Sequence, residues 1–285
     1  MTVTLVHCSD LHFGRDADLR QLDALVALVP SLQPTAILVA GDLTQRARHG
    51  EFQAALALFG RLEAHAPLLT VAGNHDVEWW RSPFHVLGTR RLYAKWRRYF
   101  GEDLTPVLRL PGVTVATALS AYGVAAGSLT WNPNDMAVKG HLPTSEVERL
   151  ARVFAATPPE DARVVMLHHN VLRGNISRRM GLAHWGRAQR QLLELGADLL
   201  VYGHDHEEAA AQLGGRVAVS ASSTHTRRTR GQRPSAFNVV DIEAAAITIR
   251  HWRWDAAAGR FGGSDRFTFA RAPRAAAREA VAARG

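Results

Sequence analysis

Eight polar side chains able to bind a metal or a phosphate fall into five short clusters. They are Asp10 and His12 in Ser9-Asp10-Leu11-His12, Asp42 in Gly41-Asp42, Asn74 and His75 in Gly73-Asn74-His75-Asp76, His168 in His168-His169-Asn170, and His204 and His206 in Gly203-His204-Asp205-His206. No thiolate is among them. Imidazole nitrogens mixed with carboxylate and amide oxygens suit Mn, Fe, Co, Ni or Zn, whereas an all-oxygen set would favour Mg or Ca. Even seven of these eight exceed what one tetrahedral zinc can take. They divide over two ions if one carboxylate bridges, with positions left open for water and a phosphate oxygen. Two ions roughly 3.5 to 4 Å apart can clamp both the attacking and the leaving oxygen of an in-line displacement.

Each cluster ends an apolar run, and the runs say how the clusters are positioned. Residues 3–7, 36–40 and 68–72 read as strands separated by helical patterns over 17–29 and 51–64, a strand-helix-strand-helix-strand series. Such alternation implies parallel strands with the ligand loops gathered at their carboxyl ends. Strands over 163–167 and 198–202 end the same way. Gly41, Gly73 and Gly203 precede Asp42, Asn74 and His204, where the chain must turn with its backbone near the ions. His204 and His206, two apart, would point to one side of an extended chain, with Asp205 facing away.

Between and beyond these runs the pattern is less regular. Residues 77–101 are rich in aromatic and basic side chains and read as a helical excursion, with the aromatics packing rather than stacking on bases. Short strands follow from Val107, clearest over 113–118, then a turn-rich stretch through Asn132-Pro133-Asn134-Asp135. A helix is expected near Ser145, where Ser145 and Glu148 have capping-box spacing. The remainder reads as antiparallel strands over 217–221, 236–242 and 246–254. The expected organisation is one α/β domain over residues 1–270 and an Arg/Ala-rich tail over 271–285.

Composition bounds the class without choosing the substrate. The chain has 285 residues and is 47% hydrophobic, enough for a folded core, and disorder is not a serious reading. No stretch of 18 apolar residues occurs and the start lacks the pattern of a signal peptide, so a soluble, cytoplasmic protein without a membrane partner is expected. The single Cys8 cannot form an internal disulfide. A net charge of +8, almost all of it from arginine, is compatible with anionic substrates or nucleic acid. The cluster at residues 226–233 and the tail read as solvated charge.

In these clusters, Asp-x-His, Gly-Asp, Gly-Asn-His-Asp, a strand-terminal His and Gly-His-x-His in order, the chain resembles the calcineurin-like metallophosphoesterases. The resemblance spans Asp10 to His206 and implies a metallo-dependent phosphatase fold, with two packed mixed β-sheets flanked by helices in a four-layer αββα sandwich. It further implies that Asp10, His12, Asp42 and His206 hold one divalent ion. Asp42, Asn74, His168 and His204 would hold the other, with Mn, Fe or Zn the metals. His168 and His169 are both candidates by type, and the family position directly after the strand points to His168. The resemblance also gives His75 the substrate phosphate, with Asp76 orienting it, and implies attack on phosphorus by a metal-activated hydroxide.

Ser9-Asp10-Leu11-His12-Phe13-Gly14, with Gly41-Asp42-Leu43-Thr44, is similar to the bacterial branch that includes class III cyclic-nucleotide phosphodiesterases. The substrate expected on that resemblance is a small nucleotide-like phosphodiester, 3',5'-cyclic ones included. A DNA or RNA nuclease is the alternative, favoured by charge and disfavoured by the short chain after His206. A lipid-linked pyrophosphatase would depart from Gly-Asn-His-Asp, and a metal-free interaction protein would lack several of the histidines.

Overall fold

The computed structural model describes residues 2–81, 90–128, 138–175, 177–226 and 233–271. The chain runs β1 (Val3–Cys8), α1 (Leu19–Leu32), β2 (Ala36–Val39), α2 (His49–Glu63), β3 (Leu68–Thr70), α3 (Ala94–Phe100), β4 (Val107–Leu110), β5 (Val113–Ala118), α4 (Thr144–Ala155), β6 (Ala162–Leu167), α5 (Trp185–Glu194), β7 (Leu199–Tyr202), β8 (Ala209–Leu213), β9 (Arg216–Ser220), β10 (Ala236–Ile242), β11 (Ala246–Asp255) and β12 (Arg260–Ala270). Two six-stranded sheets result, ordered β12-β11-β10-β1-β2-β3 and β4-β5-β6-β7-β9-β8. In the first, β1, β2 and β3 run parallel, and β10 adds antiparallel to the other edge of β1. In the second, β5, β6, β7 and β9 run parallel between the antiparallel strands β4 and β8.

Side-chain alternation along the strands builds three apolar layers. On β1, Val3 and Leu5 face the second sheet while Val6 and Cys8 face the helices, and on β2 Ala36 and Leu38 alternate in the same way with Ile37 and Val39. The layer between the sheets adds Val113, Val115, Val164, Leu199 and Val217 from the second sheet. Helices α1, α2 and α3 cover the outer face of the first sheet, and α4 and α5 cover the second through Leu150, Phe154, Ala188 and Leu192. These are the four layers expected, with strands buried on both faces reading as near-continuous apolar runs.

Several expectations need correction. Helix α4 begins at Thr144 with Pro143 at its N-cap and no side-chain cap, so Ser145 lies inside the first turn and the capping box with Glu148 is not made. Proline's fixed φ pre-sets the entry instead. Strand β9 is parallel to β7, not only antiparallel to a neighbour. Of the excursion over 77–101, the described parts are a 3-10 turn at Trp79–Arg81 and helix α3, and residues 82–89 lie outside the described residues. Trp96, Tyr99 and Phe100 pack on Phe52 as expected, whereas Trp80 is half-exposed. The turn at residues 132–135, residues 227–232 of the basic cluster and residues 272–285 of the tail also lie outside the described residues. Arg271 is anchored by an ion pair to Asp198 at 3.0 Å.

Candidate metal centre

Polar loops follow β1, β2, β3, β6 and β7, and all five meet at one end of the sandwich. The backbone there is bent beyond ordinary turns. Asp10, His12, Asp42, His204 and His206 all have positive φ, between 44° and 77°, and make up five of the nine non-glycine residues so placed among those described. This region is costly for most L-residues but tolerated by Asp, Asn and His, and such strain clusters at functional sites. The bends replace the extended chain expected at His204–His206, and the two rings consequently serve different neighbours. The loops also pack backbone against backbone. A Cβ on Gly73 would lie 2.1 Å from Asp42 Oδ1, and one on Gly203 would lie 1.8 Å from Ser9 Oγ, so only glycine admits either approach.

Two groups of donors converge. In the first, His206 Nε2 is 3.3 Å and His12 Nε2 3.6 Å from Asp10 Oδ1, and the two ring nitrogens are 3.0 Å apart. In the second, His168 Nε2 is 3.3 Å from Asp42 Oδ2 and 3.2 Å from Asn74 Oδ1, and His204 Nδ1 is 3.1 Å from the same amide oxygen. Asp42 Oδ2 is also 3.6 Å from His12 Nε2, so one carboxylate oxygen lies between the groups. All seven residues expected as ligands are therefore brought together, and Asp205 turns away, toward the loop at Gly174 and Ser177.

The donor set fits a pair of cations. A carbonyl can only accept, so the 2.8 Å bond between His168 Nδ1 and the Ala40 carbonyl puts the proton on Nδ1. With Nδ1 so engaged, Nε2 is the atom turned toward the oxygens of Asp42 and Asn74, and a positive charge, a proton or a metal ion, must stand between them. Asp10 Oδ1 is buried with no hydrogen-bond partner, while its Oδ2 accepts from the His204 amide. Leaving such an acceptor unpaired costs about 1–3 kcal/mol or more. Burial alone would raise the pKa of Asp10 and Asp42. The facing histidines, His206 and His12 for Asp10 and His168 and His75 for Asp42, hold both well below the usual carboxylate range. Burial opposes charge on His168, yet Asp42 pushes its pKa up to about 9, while burial and the neighbouring His168 push His204 down to about 3. The centre thus holds two ionised carboxylates and a demand for positive charge.

Around this centre, the role expected for Asp76 is not what the geometry gives. Its carboxylate accepts from the backbone N–H of Leu43, Thr44 and Gly73 and from the Thr44 hydroxyl, and no bond reaches the His75 ring. Four donors use up its oxygens, so Asp76 fixes the loop that carries Asp42. Burial, then the charge of Asp42, raise its pKa to about 6 against those bonds. The His75 ring is oriented by the Gln45 carbonyl, which accepts from Nδ1 at 2.8 Å, and its backbone N–H donates to Asp42 Oδ1. His169 points elsewhere: Nε2 donates to the Val138 carbonyl and Nδ1 pairs with the Ser120 hydroxyl.

The centre lies in the floor of a cleft of about 780 Å³. His12, Asn74, His75, His204 and His206 reach it, and Arg15, Arg46, Arg48, Lys139 and Arg179 surround them. Sequence reasoning missed Gln45 and Ala40 because a backbone carbonyl leaves no signature in residue type. It missed the rim arginines because the chain is arginine-rich throughout, although Arg46 and Arg48 do stand close behind Gly41-Asp42.

A family model described as calcineurin-like phosphoesterase matches residues 3–208. A zebrafish (Danio rerio) transmembrane protein with a metallophosphoesterase domain is 27% identical over 106 residues, covering 35% of this chain and 24% of that protein. A purple acid phosphatase from yellow lupin seeds superposes with a TM-score of 0.67 at 11% identity, covering 96% of this chain and 55% of its own. A dimetal phosphatase from Danio rerio gives 0.63 at 14% identity, covering 95% of this chain and 99% of its own. The chain therefore spans about a quarter of the zebrafish membrane protein and about half of the lupin phosphatase. No helix among the described residues is long and apolar enough to cross a membrane.

Proposed function

Since this chain belongs to the calcineurin-like phosphoesterase family, we propose that it is a phosphodiesterase hydrolysing small nucleotide-like phosphodiesters, 3',5'-cyclic ones included, at a dinuclear centre. The observation that carries this reading is the shared carboxylate: Asp42 Oδ2 lies 3.6 Å from His12 Nε2 and 3.3 Å from His168 Nε2. Asp10, His12, Asp42 and His206 would hold one ion, and Asp42, Asn74, His168 and His204 the other. The mixed nitrogen and oxygen donors suit Mn, Fe or Zn. Two divalent ions held there would supply a nucleophile at neutral pH and offset charge on the phosphoryl oxygens.

The chain's own residues do the rest. With Nδ1 donating to Gln45, His75 is held beside His12 at a ring separation of 4.7 Å, and its Nε2 is left to exchange a proton with substrate. Protonated, it donates to a phosphoryl or leaving oxygen, and a base or acid so placed contributes roughly 10²- to 10⁴-fold. Asp76 bonds the backbone beside both Asp42 and Asn74, and Gly73 lets the two loops approach.

The test uses metal-stripped protein with Mn added back, on bis-p-nitrophenyl phosphate, p-nitrophenyl phosphate, cyclic AMP and single-stranded DNA side by side. Metal-dependent turnover that favours the small diesters supports the reading. Turnover confined to DNA, with steep salt dependence, replaces it with a nuclease. No metal-dependent turnover of any of the four sinks it.

A further inference from the structure

We propose that Arg46 and Arg48, with Arg15 and Arg179 on neighbouring loops, form a second anion subsite, so that the preferred small substrate carries another phosphate beside the scissile one. This rests on the phosphodiesterase reading and names the substrate class within it. All four arginines line the same cleft as His75 and the metal centre. Among the described residues no carboxylate pairs with any of these guanidinium groups, whereas Arg20, Arg233, Arg253 and Arg271 are each held by one.

The loop that presents Arg46 and Arg48 is built, not merely exposed. Ala47 between them is buried at φ +49°, a conformation that costs a non-glycine residue and persists only where the surroundings impose it. Its N–H donates to the Thr44 hydroxyl at 3.0 Å, and its carbonyl accepts from Lys95 Nζ at 2.8 Å, an ammonium also paired with Glu78. The backbone N–H groups of Arg46 and Arg48 both donate to Glu51 Oε2, at 2.9 and 3.1 Å. Glu51 Oε2 is thereby engaged in holding the loop. Gln45 N donates to the Phe13 carbonyl, and Gly14 packs on the Gln45 side chain, which sets Arg15 beside this loop. These bonds fix the backbone that carries Arg46 and Arg48, whose side chains are exposed.

The chemistry of the ligand follows. Ions held by the metal centre would neutralise the scissile phosphate, which leaves the arginines for a different anion. Guanidinium forks match phosphate bidentately, and a backbone already fixed at Arg46 and Arg48 lowers the ordering cost of binding. A cleft of about 780 Å³ is within the range that holds a whole small ligand.

The experiment compares kcat/KM for two esters on the Mn-loaded full chain: the p-nitrophenyl ester of thymidine 5'-monophosphate, and the 5'-p-nitrophenyl ester of thymidine 3',5'-bisphosphate. The expected result is a preference for the bisphosphate ester of about 10- to 100-fold, the size of charge-assisted hydrogen bonds to phosphate. In the doubly substituted Arg46→Ala/Arg48→Ala chain, and separately in Arg15→Ala, the ratio should fall toward one, chiefly through KM. A wild-type ratio near one, or a ratio the substitutions leave unchanged, overturns the subsite. So does an equal loss on both esters. If longer single-stranded oligonucleotides outcompete the bisphosphate with steep salt dependence, the small-substrate class is overturned in favour of a polymer. Absence of turnover on both esters strikes the phosphodiesterase reading instead.

Discussion

The two halves of the centre use the same residue types but are seated differently. His168 is fully buried and its tautomer is fixed by the Ala40 carbonyl, and Asn74 beside it is 9% exposed. In the other half the side chains of His12 and His206 are 11% and 24% exposed, and His12 Nδ1 is buried with no partner. An outer hydrogen bond that fixes a ligand's tautomer raises affinity, and its loss typically costs about 10- to 100-fold. One half is thus pre-organised by the scaffold, while the other is held mainly by Asp10 and by Asp42, which faces both.

Asp42→Ala should erase the contrast, because the residue belongs to both halves. Turnover of bis-p-nitrophenyl phosphate is expected to fall by more than about 10⁴-fold, and metal analysis should find fewer than two ions per chain. Two retained ions would remove Asp42 from the bridge. His75→Ala should leave both halves filled while kcat falls by roughly 10²- to 10⁴-fold; a drop in metal content would place His75 among the ligands. Chelator titration sharpens the comparison directly. The ions are expected to leave in two steps separated by about 10- to 100-fold in chelator, with His12→Ala shifting the easier step and His168→Ala the harder one. Release in a single step would mean the halves are equivalent. The smallest effect is expected for Thr44→Val, which removes one of the donors to Asp76. It should lower unfolding free energy by about 1–2 kcal/mol in urea with metal content unchanged, and lost metal would show that the Asp76 loop positions Asp42 more tightly than stability does.

Much of the candidate centre was legible because the residues expected as ligands sit directly behind apolar strands, where a polar residue has little other reason to be. The first three strands and both helices between them were readable from their periodicity, with ends shifted by a few residues. Helix α5 escaped because it enters from His184 in a left-handed conformation, at φ 50°, without a capping residue. Strands β8 and β12 escaped because they are edges: Ala209–Leu213 opens with three alanines and has no β-branched or aromatic residue, and β12 carries Gly262-Gly263 and mostly exposed side chains. The misplaced role of Asp76 has the same origin as the missed Gln45. Residue types say which side chains can bond, but only the fold says which backbone groups reach them first.

The order of the strands also sets a timetable for the newborn chain. Residues 3–7 of β1 pair with residues 238–242 of β10, and the whole second sheet is encoded between them. At about 5–20 residues per second on a ribosome, the roughly 230 intervening residues take some ten to fifty seconds to appear. Throughout that interval one edge of β1 stands open, yet every loop of the metal centre has emerged by His206, before β10 exists. Ions captured in that window would fasten the end of β1 to the ends of β6 and β7, giving the late strands a finished template on which to close.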